Sequence, residues 1–176
     1  MNSICVYIGV KDFSWVVMDD RHRYVNGGAM DLTFGVKKPQ DVDLACALTT
    51  WTKLNLVRRF QTSPLDELVV FHKKSYHERM LACVIASQWH PNKSTITPLS
   101  TATTNYHQYL CMRLGTPVTN DELAIARALS VRGNWIIRED KLPKLARAIC
   151  LSVYFFSTSS PQPNPPPKKR RVHFQQ

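Results

Sequence analysis

Leu68-Val69-Val70-Phe71 is a short continuous apolar run. A strand written this way is buried on both faces, and it therefore needs a sheet covered by helices on each side. The chain supplies both components. Ile4 to Ile8 and Phe13 to Met18 read as strands, joined to a third, Tyr24 to Phe34, by a hairpin turn at Asp19-Asp20-Arg21-His22. Asn26-Gly27-Gly28 marks a bulge or kink in the third strand. Between Asp41 and Phe60, the residues Leu44, Leu48, Trp51, Leu54 and Val57 recur at helical spacing. After the buried strand come a helix over Tyr76 to Trp89, a weaker strand over Thr95 to Leu99 and a helix over Tyr106 to Leu114. Thr119-Asn120-Asp121-Glu122 has capping-box spacing and opens a further helix, and Pro143 starts a last one through Leu145, Ile149 and Val153. The predicted order is βββ-α-β-α-β-α-α-α.

A chain of 176 residues can bury one substantial core, so one folded domain is expected, over residues 1–157. From residue 158 onward the sequence turns to Ser, Thr and Pro and ends in a basic cluster, too poor in apolar surface to offset its ordering entropy. A disordered tail is predicted there. The formal net charge is +10, of which +6 stays with the folded part, and a polyanionic partner follows from that balance. The five cysteines are scattered, with no Cys-x-x-Cys pair and no His at zinc-ligand spacing. They are expected as reduced, core-packing thiols in a cytosolic or nuclear protein, and no zinc is expected. The apolar runs are too short for a membrane span, and Met1-Asn2-Ser3 leads into a strand without a signal-peptide layout. The expected setting is neither secreted nor membrane-embedded.

Ile8-Gly9-Val10-Lys11-Asp12-Phe13-Ser14-Trp15 resembles the Asp-Ile-Gly-x-Lys-Asn-x-Ala signature of the poxvirus and iridovirus Holliday-junction resolvases, relatives of bacterial RuvC. Met30-Asp31-Leu32-Thr33, Leu68 to Lys73 and Leu145-Ala146-Arg147-Ala148 resemble further family segments in the same order. The resemblance implies an α/β, RNase H-like fold with a mixed five-stranded sheet flanked by helices. It also implies a C2 homodimer, four-way DNA junctions as partners and hydrolysis by two Mg²⁺ ions held by clustered carboxylates.

Carried across residue by residue, the motif puts Tyr7 at the family's first-strand Asp and His72 at its fourth-strand Glu. Pro143, Lys144 and Arg147 stand where the last helix has acids. A domain of this kind that has lost metal-dependent cleavage, and needs no cofactor, is the expectation. Shifting the last helix by a few residues instead offers Glu139 and Asp140 as catalytic acids, and an active nuclease of that register would need Mg²⁺. A third reading keeps the fold as a protein-interaction module without DNA.

For DNA contact the candidates are Lys11, Arg58, Arg59, Lys73, Lys74 and Arg79, from a wider basic set that includes Lys37, Lys38 and Lys53. Trp51 or Tyr76 could stack on a base, but Trp51 is at core spacing, which favours packing. His72 and His77 read as ordinary histidines. Pro167-Lys168-Lys169-Arg170-Arg171-Val172 resembles a monopartite nuclear-import signal, with a nuclear-import receptor as partner and nuclear localisation implied, inside the host nucleus for a viral protein. A general electrostatic tether to nucleic acid is the alternative role of that cluster.

Overall fold

The computed structural model describes residues 2–9, 12–31, 40–54, 65–73, 76–88, 93–101 and 106–159. Five strands, β1 (Asn2–Ile8), β2 (Asp12–Met18), β3 (Tyr24–Asp31), β4 (Leu65–His72) and β5 (Lys93–Pro98), form a single sheet in the order β3-β2-β1-β4-β5. The sheet is mixed. β1 pairs antiparallel with β2, and β2 with β3, whereas β1 with β4 and β4 with β5 run parallel. The two apolar strands β1 and β4 lie side by side in the middle, as their uniform hydrophobicity requires.

Period-2 alternation sorts the central side chains into two cores. Ile4, Val6 and Ile8 of β1, Phe13 and Val17 of β2, and Leu68 and Val70 of β4 face one way. Helices α1 (Asp41–Thr52) and α2 (Tyr76–Ser87) cover that face with Leu44, Leu48, Trp51, Leu81 and Ile85. Trp51 packs edge-on against Phe13 at 4.8 Å, so its indole serves the core rather than a base. Cys5, Tyr7, Val16, Met18, Val69 and Phe71 face the other way, beneath α3 (Tyr106–Leu114), α4 (Glu122–Gly133) and α5 (Leu142–Ser159). α5 is the keystone of this layer. It packs on β1, β2 and β3 and on both α3 and α4, burying Leu145, Ile149, Val153 and Phe156. Each such side chain contributes about 1.5–3 kcal/mol of burial.

The predicted order of elements holds, and the corrections are local. β3 is described only to Asp31, because 32–39 lie outside the described residues, as does Val57. Leu54, expected to face the core, is exposed just beyond α1. Cys5, Cys111 and Cys150 are buried, but Cys46 and Cys83 sit on the outer sides of α1 and α2, and all five are free thiols. The N-cap of α4 is Asp121, whose carboxylate accepts from the Ala124 amide at 3.1 Å. Thr119 acts one step earlier, its hydroxyl accepting from the Asp121 amide. α5 begins at Leu142 and extends to Ser159, two residues into the segment expected as tail from 158 onward, and residues 160–176 lie outside the described residues. Among the described residues, no helix is long and apolar enough to cross a membrane.

Candidate functional site

At the carboxyl ends of β1 and β4 the sheet opens into a cavity of about 740 Å³. Its floor is the end of β1, where Gly9 lets the chain turn tightly enough for its amide to donate to the Asp12 carbonyl at 2.8 Å. A Cβ at Gly9 would stand 2.7 Å from the Asp12 Oδ1 and 3.2 Å from the Asp12 carbonyl, so the Asp12 carboxylate would have to move aside. Tyr7, Asp12, Ser14 and Lys73 line the cavity from the sheet side, Asp121 and Glu122 from the start of α4, and Pro143, Lys144 and Arg147 from the first turns of α5.

Arg147 organises the site. Its Nη1 donates to the Tyr7 hydroxyl at 2.9 Å, and its guanidinium carbon lies 5.1 Å from the centroid of the same ring. Its Nε and Nη2 donate to the Glu122 carboxylate at 3.1–3.2 Å. Glu122 also accepts from the Tyr106 hydroxyl at 2.8 Å and lies 3.4 Å from the His107 Nε2. Burial opposes the charge on Arg147, but Glu122 and Tyr7 outweigh it and raise its pKa, so it remains a fixed cation. Burial, reinforced by Glu122, raises the Tyr106 pKa and keeps it a neutral donor.

Mg²⁺ ions need several hard oxygen ligands free to turn towards them. The cavity's carboxylates do not meet that need. Glu122 is engaged by Arg147 and Tyr106, and Asp121 by its own helix, which leaves Asp12. Among the described residues no three His, Cys, Asp or Glu side chains are grouped closely enough to hold a metal ion.

The sheet register corrects one assignment. Tyr7 pairs with Phe71 and Ile8 with His72, so His72 projects to the opposite face, under α1 and α2. There its Nδ1 lies 2.6 Å from the Lys73 carbonyl. The β4 residues on the face of Tyr7 are Phe71 and, beyond the strand, Lys73, which lines the cavity. Glu139 and Asp140 lie in the turn before α5, 77% and 69% exposed and paired with Arg127 and Arg138, and neither lines the cavity. Of the basic candidates, Lys73 reaches the site, while Arg79 and Lys53 are exposed on or beside the α1–α2 layer. Lys11, Lys37, Lys38, Arg58, Arg59, Lys74 and Lys168 to Arg171 lie outside the described residues, as do the side chains of Tyr76 and His77. Arg147 stands out in the sequence as a basic residue at an acid position. Its partner Glu122 reads there only as part of a helix cap, and no local pattern links two residues 25 apart.

The fold is RNase H-like. Thermus thermophilus RuvC superposes with a TM-score of 0.56 at 11% identity, over 90% of this chain and 96% of that one. The yeast mitochondrial Holliday junction resolvase Ydc2 gives 0.52 at 12%, over 86% of this chain and 79% of that one. At these identities the likeness is one of fold. No protein-family model matches the sequence, and no curated protein matches it either.

Proposed function

We propose that this chain binds branched DNA through its phosphates without cutting it, as a catalytically degenerate relative of the Holliday-junction resolvases acting in the nucleus, within a virus-infected cell. The observation that carries the proposal is Arg147, a fixed cation at the end of the central strand, clamped between Glu122 and Tyr7 where a metal-dependent nuclease needs free carboxylates. Three further features favour a phosphate as the ligand. The cavity sits at the amino ends of two long helices, α4 and α5, whose dipoles are positive there. Among the described residues no carboxylate is within ion-pair distance of Lys73 or Lys144, and both line the cavity. The net charge of +10 gives the long-range attraction. Branched DNA is chosen because a junction resolvase shares the fold, and a C2 homodimer would match the junction's approximate twofold symmetry.

The deciding experiment incubates the full chain, with Mg²⁺, with a labelled four-way junction and a duplex of equal length. The junction should be bound more tightly and stay intact. Lys73→Glu/Lys144→Glu should weaken binding at least about tenfold and shallow the salt dependence by about 0.9 for each phosphate no longer neutralised. Symmetric nicks that disappear in Glu139→Ala/Asp140→Ala would establish the active nuclease instead. Binding no tighter than that of a neutral control protein would leave the interaction module. For the tail, we propose import through Lys168 to Arg171: a fusion too large for passive entry should lose nuclear accumulation when residues 159–176 are removed.

A further inference from the structure

The opposite pole of the sheet, where β1 begins and β2 turns into β3, carries a second concave site. A pocket of about 230 Å³ is lined there by Arg21, His22 and Arg23 of the hairpin turn, Arg113 at the end of α3, Arg132 in the last turn of α4, and Trp135 just beyond it. β1 pairs Ser3 with Met18 at this pole and Ile8 with Phe13 at the cavity pole. The five-residue step of extended strand between those two pairs spans roughly 17 Å.

Four arginines from three parts of the chain line this one pocket, and gathering like charges costs free energy unless an anion answers them. Among the described residues, a carboxylate answers one of the four. The Asp19 carboxylate accepts from the amides of Arg21 and Arg23 and from the Arg23 Nε at 3.0 Å. Arg113 and Arg132 are braced by uncharged partners instead, the Ser157 hydroxyl and the Arg113 carbonyl. Among the described residues no carboxylate is within ion-pair distance of Arg21, Arg113 or Arg132. Asp20, in the same turn, does not line the pocket.

The pocket is also held in shape. His22 has a φ of 58°, uncommon for a residue with a Cβ. It is kept there by its amide's bond to the Asp19 carbonyl at 3.0 Å and by stacking of its ring on Phe156. Trp135 lies so close across Gly133 that any Cβ at 133 would meet the indole, and the indole N–H has no hydrogen-bond partner among the described residues.

We propose that this pocket binds a backbone phosphate of a second nucleic-acid segment, so that the chain holds DNA at both poles of its sheet. Guanidinium forks match phosphate oxygens two at a time, and Trp135 supplies an aromatic wall for the adjoining sugar or base. The two-pole bridge rests on the cavity reading of the preceding section; the phosphate pocket does not.

The test tethers one duplex to a surface, adds the full chain, and measures recruitment of a second, labelled duplex. Arg21→Glu/Arg113→Glu should still be captured by the tethered duplex but should recruit the second at least about tenfold less. In solution its salt slope should shallow by about 0.9 for each phosphate the pocket no longer neutralises. Arg21→Gln, a change on an exposed turn, gives the same test with one charge removed and no reversal, should the double variant fail to fold. If Lys73→Glu/Lys144→Glu behaves as wild type while the Arg21/Arg113 variant loses all binding, the pocket stands and the cavity reading fails. Capture and recruitment unchanged in both pocket variants would overturn the pocket, and so would competition by an Asp/Glu-rich peptide equal to that of an oligonucleotide of matched charge.

Discussion

Replacing Arg147 with alanine would leave the Glu122 carboxylate, itself only 14% exposed, without its cation. Breaking a buried pair from one side costs about 3–5 kcal/mol, and because Arg147 is 39% exposed the expected loss is smaller, about 2 kcal/mol. Glu122→Leu/Arg147→Met removes both charges and should cost less than either single change, a coupling that urea titrations of the four proteins would measure. If the double variant is as unstable as the sum of the singles, the pair is not acting as a unit. The neighbouring strand shows why residue assignments are harder to read than elements. In β4 a step of one residue reverses the face, so His72, aligned by sequence with an acid position, lies with Ile8 on the α1–α2 side, and Phe71 and Lys73 lie with Tyr7. The register between β1 and β4 is fixed by long-range pairing, which no local pattern records.

At the scale of elements, periodicity tells more. The uniform apolar character of β1 and β4 matches their place at the centre of the sheet, and the 3.6-residue spacing of Leu44, Leu48 and Trp51 identifies the face of α1 that packs on it. Helix ends are less legible, since several polar residues in a row can each cap. Thr119 and Asp121 both precede α4, and only the geometry shows Asp121 accepting from the Ala124 amide. Asp121→Ala should therefore cost about 1 kcal/mol, whereas Thr119→Ala should cost less than half of that. Shifts in the urea midpoint at unchanged m-value would measure both. The reverse ranking would restore Thr119 as the cap.

For the whole molecule, the clearest pH dependence lies on the alkaline side. Burial raises the pKa of Cys5, and burial with the nearby Glu122 charge raises that of Cys150, so both thiols stay protonated in the folded state beyond the usual thiol range. The unfolded chain releases those protons near pH 8.5, and Tyr106 adds the same effect near pH 10. Above these values the unfolded state holds fewer protons than the folded one, so stability is fully present below about pH 8.5 and is lost as pH rises. Between pH 9.5 and 10 the two thiols together should cost up to about 2.7 kcal/mol per pH unit. Denaturant titrations under reductant should show this slope, and Cys5→Val should remove about half of it. An unchanged slope in Cys5→Val would mean that Cys5 ionises in the folded protein.

The position of α5 has a consequence in time. The face of the sheet built from β1, β2, β3, β4, α1 and α2 has all its partners once Ser87 has been made, but the face carrying Cys5, Val16, Val69 and Phe71 must wait for Leu142 to Ser159. At 5–20 residues per second, the 55 residues from Ser87 to Leu142 take roughly 3–11 s to synthesise. Throughout that interval a nascent chain presents a half-covered apolar sheet, so the step most exposed to aggregation or chaperone capture comes just before α5 is complete.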